Sequence, residues 1–251
     1  MPSESLLMPD NKWILVTGGS RGIGAAVVRQ LAQSWNVIFT WQKNQQQAQE
    51  IEQSCACLPG KVQSYQCDGT DEKQVATLAT KLLADKGAPA GIVHNAGITR
   101  DALHIHQSNE DWQNVIDTNL NAIFYWNRQL LPAMFMHGGS IVLMSSVSAI
   151  KGNCGQVAYS ATKAAMTGIS RSLANEVARF NVRVNCILPG LIETDMVAAM
   201  SREERKQLQA QIPLRRLGKP DEIAQSVDFL LSDAATYITG QSLIIDGGLS
   251  S

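Results

Sequence analysis

"KWILVTGGSRGIGAAVVRQL", Lys12 to Leu31, decides the fold. Lys12 to Thr17 is a short apolar run that stops at glycines, as a buried strand does. From 22 to 34, Ile23, Val27, Val28 and Leu31 recur at helical spacing. A strand, a glycine turn and a helix within twenty residues open an alternating chain. The alternation continues outward. Strands are expected at 36–40, 62–67, 91–95, 140–146, 182–188 and 242–246. Helices are expected at 42–54, 71–86, 109–136, 156–179 and 220–232. Ser108 caps the third of these helices and Pro220 opens the last.

Strands alternating with helices imply a parallel sheet covered on both faces. Right-handed crossovers then give an α/β, doubly wound, Rossmann-like fold. The 251 residues fit one domain, which would bury ~70–75% of its unfolded surface. We expect a loose tail over 1–10, a single domain over 11–251, and a polar lid over about 191–217 carrying "SREERKQ".

With 21 basic and 22 acidic residues the net charge is -1, which argues against a nucleic-acid surface. No apolar run reaches the ~18 residues of a membrane helix, and the N-terminus does not read as a signal peptide. Five scattered cysteines suit free thiols in a reducing cytoplasm. Cys55-x-Cys57 and His104-x-His106 lack partner pairs at zinc spacing, so no metal is expected.

In a doubly wound fold, ligands bind beyond the carboxyl ends of the strands. After the first strand, Gly18, Gly22 and Gly24 are spaced G-x-x-x-G-x-G. Such a turn brings backbone up to a pyrophosphate, with a helix N-terminus aimed at it. It also suits a purely structural turn, and it is neither G-x-G-x-x-G nor a P-loop. The second strand ends at Thr40, where a site for NAD usually supplies an acid. No Asp or Glu occurs from 25 to 49, whereas Arg21 and Lys43 flank the place. A hydrogen bond to a charged group is worth roughly 1.5–3 kcal/mol, enough to favour NADP(H). Asp68 and Gly69, Asn95-Ala96-Gly97, Ser145-Ser146 and Pro189-Gly190 follow the next strands. Together they are harder to dismiss than any one alone.

Tyr159 and Lys163 stand four apart, on one helix face. An ammonium and a helix N-terminus should both favour the phenolate. Lowering a phenol's pKa from ~10 to neutrality takes about 4 kcal/mol. Such a tyrosine exchanges a proton with a carbonyl oxygen as hydride moves. A lone Tyr-x-x-x-Lys is ordinary; Ser146 at the tip of the preceding strand makes it notable.

The set Thr17-Gly18-x-x-x-Gly22-Ile23-Gly24, Asn95-Ala96-Gly97, Ser146, Tyr159-x-x-x-Lys163 and Pro189-Gly190 resembles the short-chain dehydrogenase/reductase family. The resemblance covers residues 12 to about 249. "NAGITRD" (95–101), "GNCGQVAYSATKAA" (152–165), "PGLIETDM" (189–196) and "YITGQSLIIDGG" (237–248) are similar to the 3-oxoacyl-[acyl-carrier-protein] reductases within it. The resemblance implies that Tyr159 is the acid/base, and that Lys163 lowers its pKa and holds the nicotinamide ribose. Ser146, thirteen residues before the tyrosine, is then the donor to the substrate oxygen. Asn119 would bend its helix and support a relay water. Ser20 and Arg21 would hold the 2′-phosphate, and Asp68 and Gly69 the adenine. Asn95, Ala96 and Gly97 would meet the adenosine side and the nicotinamide ribose. Pro189, Gly190, Ile192 and Thr194 would meet the nicotinamide end.

The expected activity is NADPH-dependent reduction of a 3-oxoacyl thioester on an acyl carrier protein, in fatty-acid or polyketide-like synthesis. Members are usually homotetramers, and a related partner subunit is conceivable. Two departures stand out. His94 replaces the usual asparagine, read as tuning strand packing. "MFMHGGS" (134–140) replaces a basic cluster that would dock an acidic carrier, leaving Arg179 and Arg183 as nearby candidates. Met134 to Met136 suit a buried helix end or a partner-facing patch. The alternatives are a dehydrogenase acting on a free ketone or alcohol, and a non-catalytic dinucleotide-binding subunit.

Overall fold

The computed structural model describes residues 12–193 and 201–251. Seven parallel strands form one sheet: β1 (Trp13–Val16), β2 (Asn36–Trp41), β3 (Val62–Gln66), β4 (Gly91–His94), β5 (Gly139–Met144), β6 (Val182–Pro189) and β7 (Ser242–Ile245). Their order is β3-β2-β1-β4-β5-β6-β7. The chain therefore winds one way from β1 and the other way from β4, and a crevice opens where the two meet.

The central strand β1 is apolar at every position because both its faces are covered. In β1, Ile14 and Val16 enter one core, while Trp13 and Leu15 enter the other. In β5, Val142 and Met144 join the first, Ile141 and Leu143 the second. Burying each such aliphatic side chain contributes about 1.5–3 kcal/mol. The first core is roofed by α1 (Gly22–Leu31) and α2 (Gln45–Ser54). The second is roofed by α3 (Glu72–Lys86). Ala48 and Ile51 are the buried positions of the otherwise polar α2, which explains its low hydrophobicity.

The stretch expected as one helix over 109–136 is two. α4 (Asn109–Ile116) passes through a π-turn, Asp117–Asn121, into α5 (Ala122–Met134). Ser108 does cap α4, its hydroxyl accepting from Asp111 N at 3.0 Å. After a short α6 (Ser148–Lys151), α7 (Val157–Val177) packs on the second core.

Of the proposed lid, α8 (Arg202–Gln211) is helical, and α9 (Pro220–Leu231) follows it to close the first core. Ile192 pairs with Gly218 in an isolated parallel bridge, and Ile212 and Leu217 are buried against Leu191 and Leu249. The base of the segment is therefore anchored. The tail over 1–10 and Thr194 lie outside the described residues.

Candidate active site

The glycine turn is built by Thr17. Its Oγ1 accepts from the backbone N–H groups of Asn95 and Ala96, both at 3.1 Å, and so ties the tips of β1 and β4 together. Asn95 Nδ2 donates to the carbonyls of Thr17 at 3.1 Å and Gly18 at 2.9 Å. Asn95 thus braces the turn with the amide expected to face adenosine. Gly18 adopts φ +68°, and a Cβ there would lie 3.0 Å from Ala96 Cα. At Gly24 a Cβ would lie within hydrogen-bonding distance of Asn95 Nδ2 and overlap Gly18 O, so both positions require glycine. Thr40, buried at the tip of β2, accepts from Gly19 N through its carbonyl at 3.0 Å.

Helix α1 starts after Arg21 with no side-chain cap and no acid in its first turn. Its first N–H groups therefore face the crevice unneutralised, which fits a pyrophosphate. Arg21 and Lys43 are exposed, and neither makes an ion pair among the described residues. Ser20 and Gly22 to Gly24 complete the cradle, with Ile23 packed partly on the first core.

Beyond β3 the cleft continues past Thr40, Asp68, Gly69 and Ala96. Asp68 does not cap α3; Asp71 does, accepting from Lys73 N and Gln74 N. Burial pushes the Asp68 carboxyl up, but bonds from Thr70 N, Thr70 Oγ1 and Gln42 hold it below its ordinary value. Two further side chains form this wall: Trp126 carries no signal in the sequence, whereas His94 stands out there only as the replacement of an asparagine. Trp126 lines it from α5, and His94 closes it from β4.

His94 is buried, with its Nε2 2.8 Å from Asn127 Oδ1. Burial pulls its pKa down from 6.5 to about 4 against the opposing bond to Asn127. A histidine held neutral when folded but free to charge when unfolded destabilises the fold as pH falls from 6.5 towards 4. Above 6.5 its contribution is fully present. His94→Asn should remove about 3 kcal/mol of acid sensitivity over that window. Urea unfolding of both proteins at each end of the window checks this; parallel losses would clear His94.

The chemistry-bearing groups converge across the crevice. Lys163 is buried, its Nζ 2.6 Å from Met144 O and 5.5 Å from the centroid of the Tyr159 ring. A Cβ on Gly97 would stand 3.3 Å from both Lys163 Nζ and Asn119 Oδ1. The absence of a side chain at Gly97 leaves room for both groups. Asn119 is fully buried in the π-turn, the kind of helix defect found at functional sites. Its Oδ1 accepts from Ile98 N at 2.8 Å, and its Nδ2 donates to Ile98 O and Thr162 Oγ1. Ser145 is buried and donates to Lys163 O at 2.7 Å, whereas Ser146 lies against the Tyr159 phenol.

One expectation needs correction. Lys163 and the helix end were to acidify Tyr159, yet the phenol's pKa is raised. Burial pushes it up, the Ser146 hydroxyl pulls it down, and the Asp101 carboxylate pushes it up again. The ammonium is anchored on Met144 O over the ring rather than at the hydroxyl. Burial also brings Lys163 itself down to about 8, against a small opposing effect of Cys186.

At the end where the nicotinamide is expected, Val147 N donates to Pro189 O at 3.0 Å, and Gly190 N donates to Ile245 O at 2.9 Å. The Ile192 side chain belongs to the first core, so only its backbone is left for a ligand. Arg183 is unavailable for docking a carrier: it donates to the carbonyls of Leu230, Leu231 and Ser232 at the end of α9. Arg179 lies over the Phe180 ring, which stacks on Phe135 at 4.0 Å. Met134 is buried and Met136 exposed, so that segment is part core and part surface. All five cysteines are free. Among the described residues no cluster suits a metal, and no helix is long and apolar enough to cross a membrane.

Residues 18–250 match the family model described as "Enoyl-(Acyl carrier protein) reductase". The chain is 39% identical over 241 residues to the "3-oxoacyl-[acyl-carrier-protein] reductase FabG" of Thermotoga maritima, covering 96% of this chain and 98% of that one. It is 39% identical over 241 residues to the protein of the same name from Escherichia coli, with the same coverage. It is 43% identical over 236 residues to "Carbonyl reductase family member 4" of Danio rerio, covering 94% and 96%. With a seven-stranded doubly wound sheet and matches that run nearly end to end, the chain belongs to the short-chain dehydrogenase/reductase family.

Proposed function

We propose that the chain reduces 3-oxoacyl thioesters, presented on an acyl carrier protein, to 3-hydroxyacyl thioesters with NADPH. One observation carries this: the Ser146 hydroxyl lies against the Tyr159 phenol, and Lys163 Nζ stands over that ring and beside Gly97. The names of its FabG relatives support the substrate class. The dinucleotide, when bound, supplies the hydride. Gly18, Ser20, Arg21, Gly22, Ile23 and Gly24 would hold its phosphates, with Thr40 supporting the turn from β2. Asp68 and Gly69 would take the adenine, and Asn95, Ala96 and Gly97 would line the path between. Pro189, Gly190 and the backbone of Ile192 would take the nicotinamide end.

Lys163 keeps two of its three N–H donors for the ribose hydroxyls. Ser146 holds the substrate oxygen, and Tyr159 gives it a proton. The raised phenol pKa serves this direction, because it keeps the proton on Tyr159 until the oxygen gains charge. Asn119 holds the helix break against the Gly97 segment and so sets the floor beside Lys163.

Assembly into a homotetramer, or with a related partner subunit, belongs to the same proposal. Phe124 on α5 and Leu243 and Ile244 on the edge strand β7 offer apolar surface for it. Arg179 is the remaining basic candidate for a carrier.

The matched family description names a C=C reductase and the FabG relatives a C=O reductase, so a turnover panel decides between them. 3-Oxoacyl and 2-enoyl thioesters on carrier protein, and free ketones, would each be offered with NADPH and NADH. The proposal expects turnover of the 3-oxoacyl thioester with NADPH. Turnover of free ketones alone would make the chain a small-molecule dehydrogenase instead.

A further inference from the structure

The geometry points to Gln156, held by Asp101, as a positioning residue that sets the orientation of the Ser146 hydroxyl; we infer this on the reading that Ser146 binds the substrate oxygen. Gln156 Nε2 donates to Asp101 Oδ2 at 2.9 Å. A carboxylate accepts only, so the amide nitrogen must face it and Oε1 must face inward. There Oε1 accepts from Asn153 Nδ2 at 3.0 Å and from Ser148 Oγ at 3.4 Å.

Ser148 has one hydroxyl proton, and Gln156 takes it. Its lone pairs then accept from Asn153 Nδ2 at 2.8 Å and from Ser146 Oγ at 3.2 Å. Ser146 Oγ in turn accepts from Ser148 N at 3.1 Å. Along this chain the donations therefore run outward, from Ser146 through Ser148 and Gln156 to Asp101, with Asn153 donating into it from the side. One Ser146 lone pair remains for the Tyr159 phenol, which keeps the two hydroxyls side by side. The proton resting on Ser148 is free to swing to an incoming oxygen.

The same network joins two segments. Ala102 N donates to Gly155 O at 3.0 Å, so the loop after β4 and the loop before α7 hold one geometry. Gln156 carries none of the signal that marks Tyr159 and Lys163; only its place three residues before the tyrosine hints at it.

The test exchanges donor and acceptor. Gln156→Glu sets two carboxylates against each other and should lower kcat about tenfold, the scale of one lost hydrogen bond. Dinucleotide affinity and melting temperature, measured alongside, should stay near the parent's. Adding Asp101→Asn restores a donor on the other side and should recover most of the loss. The same change should not rescue Gln156→Ala. Ser148→Ala reads the link from its inner end and should also lower kcat about tenfold with unchanged dinucleotide affinity. The assay uses whichever carbonyl compound the parent reduces, so failure of the thioester reading leaves this test standing. Parental kcat in Ser148→Ala, or a Gln156→Glu loss that Asp101→Asn does not relieve, would overturn the proposal.

Discussion

Tyr159→Phe is expected to lower turnover by about 10²–10⁴-fold, the usual contribution of one positioned proton donor. Only the phenolic oxygen is removed, and the ring still carries the packing beneath Lys163 Nζ. Dinucleotide binding and the thermal midpoint should therefore change little. Among the described residues, Ser146 donates hydrogen bonds but as an aliphatic alcohol is a far weaker acid than a phenol, and Lys163 Nζ is anchored on Met144 O with its other donors kept for the ribose. Stopped-flow oxidation of NADPH, with equilibrium binding measured on the same protein, separates the two effects. A variant that binds NADPH and retains full turnover would remove Tyr159 from the chemistry. Full activity retained by a complex of this variant with a partner chain would instead favour a role as that complex's dinucleotide-binding subunit.

The second large effect is expected at Arg21. Its guanidinium is exposed at the start of α1, makes no ion pair among the described residues, and has no acid near it in sequence. A charge-assisted hydrogen bond to the 2′-phosphate is worth about 1.5–3 kcal/mol, or roughly 10–150-fold in preference for NADPH over NADH. Arg21→Glu removes that bond and adds repulsion, so the preference should fall at least that far, and binding of NADH should rise. Lys43 is the other exposed cation, just past β2, and Lys43→Ala alone should show a smaller shift. Kd values for both dinucleotides in each variant check this. An unchanged ratio in Arg21→Glu would move the phosphate elsewhere.

The sheet was readable because its strands are covered on both faces. Runs such as Trp13–Val16 and 141–144 are apolar without alternation, so their ends stand out. The glycine turn was readable because strand, turn and helix follow one another within twenty residues, although the contact that dictates Gly18 is with distant Ala96. What escaped depends on contacts distant along the chain. The π-turn at Asn119 is stabilised by Ile98 and Thr162, and no local pattern announces it. The direction of the Tyr159 shift depends on burial, which outweighs a neighbouring charge whose nitrogen is tied to Met144 O. Arg183 looked like a docking residue because its partners, the last carbonyls of α9, are almost fifty residues away. Gln156 was passed over for the same reason: its partner Asp101 belongs to another loop.

Transfer of deuterium tests the account most directly. NADPH carrying deuterium at the reactive nicotinamide carbon would be mixed with the enzyme and a 3-oxoacyl carrier thioester, and the product examined by mass spectrometry. If Tyr159, Ser146 and Lys163 act on a carbonyl beside Gly97, the label appears at C3 of a 3-hydroxyacyl thioester, and Tyr159→Phe abolishes its appearance. No label at C3 of the product, with label reaching only a saturated acyl chain when a 2-enoyl thioester is offered in a parallel reaction, would contradict it.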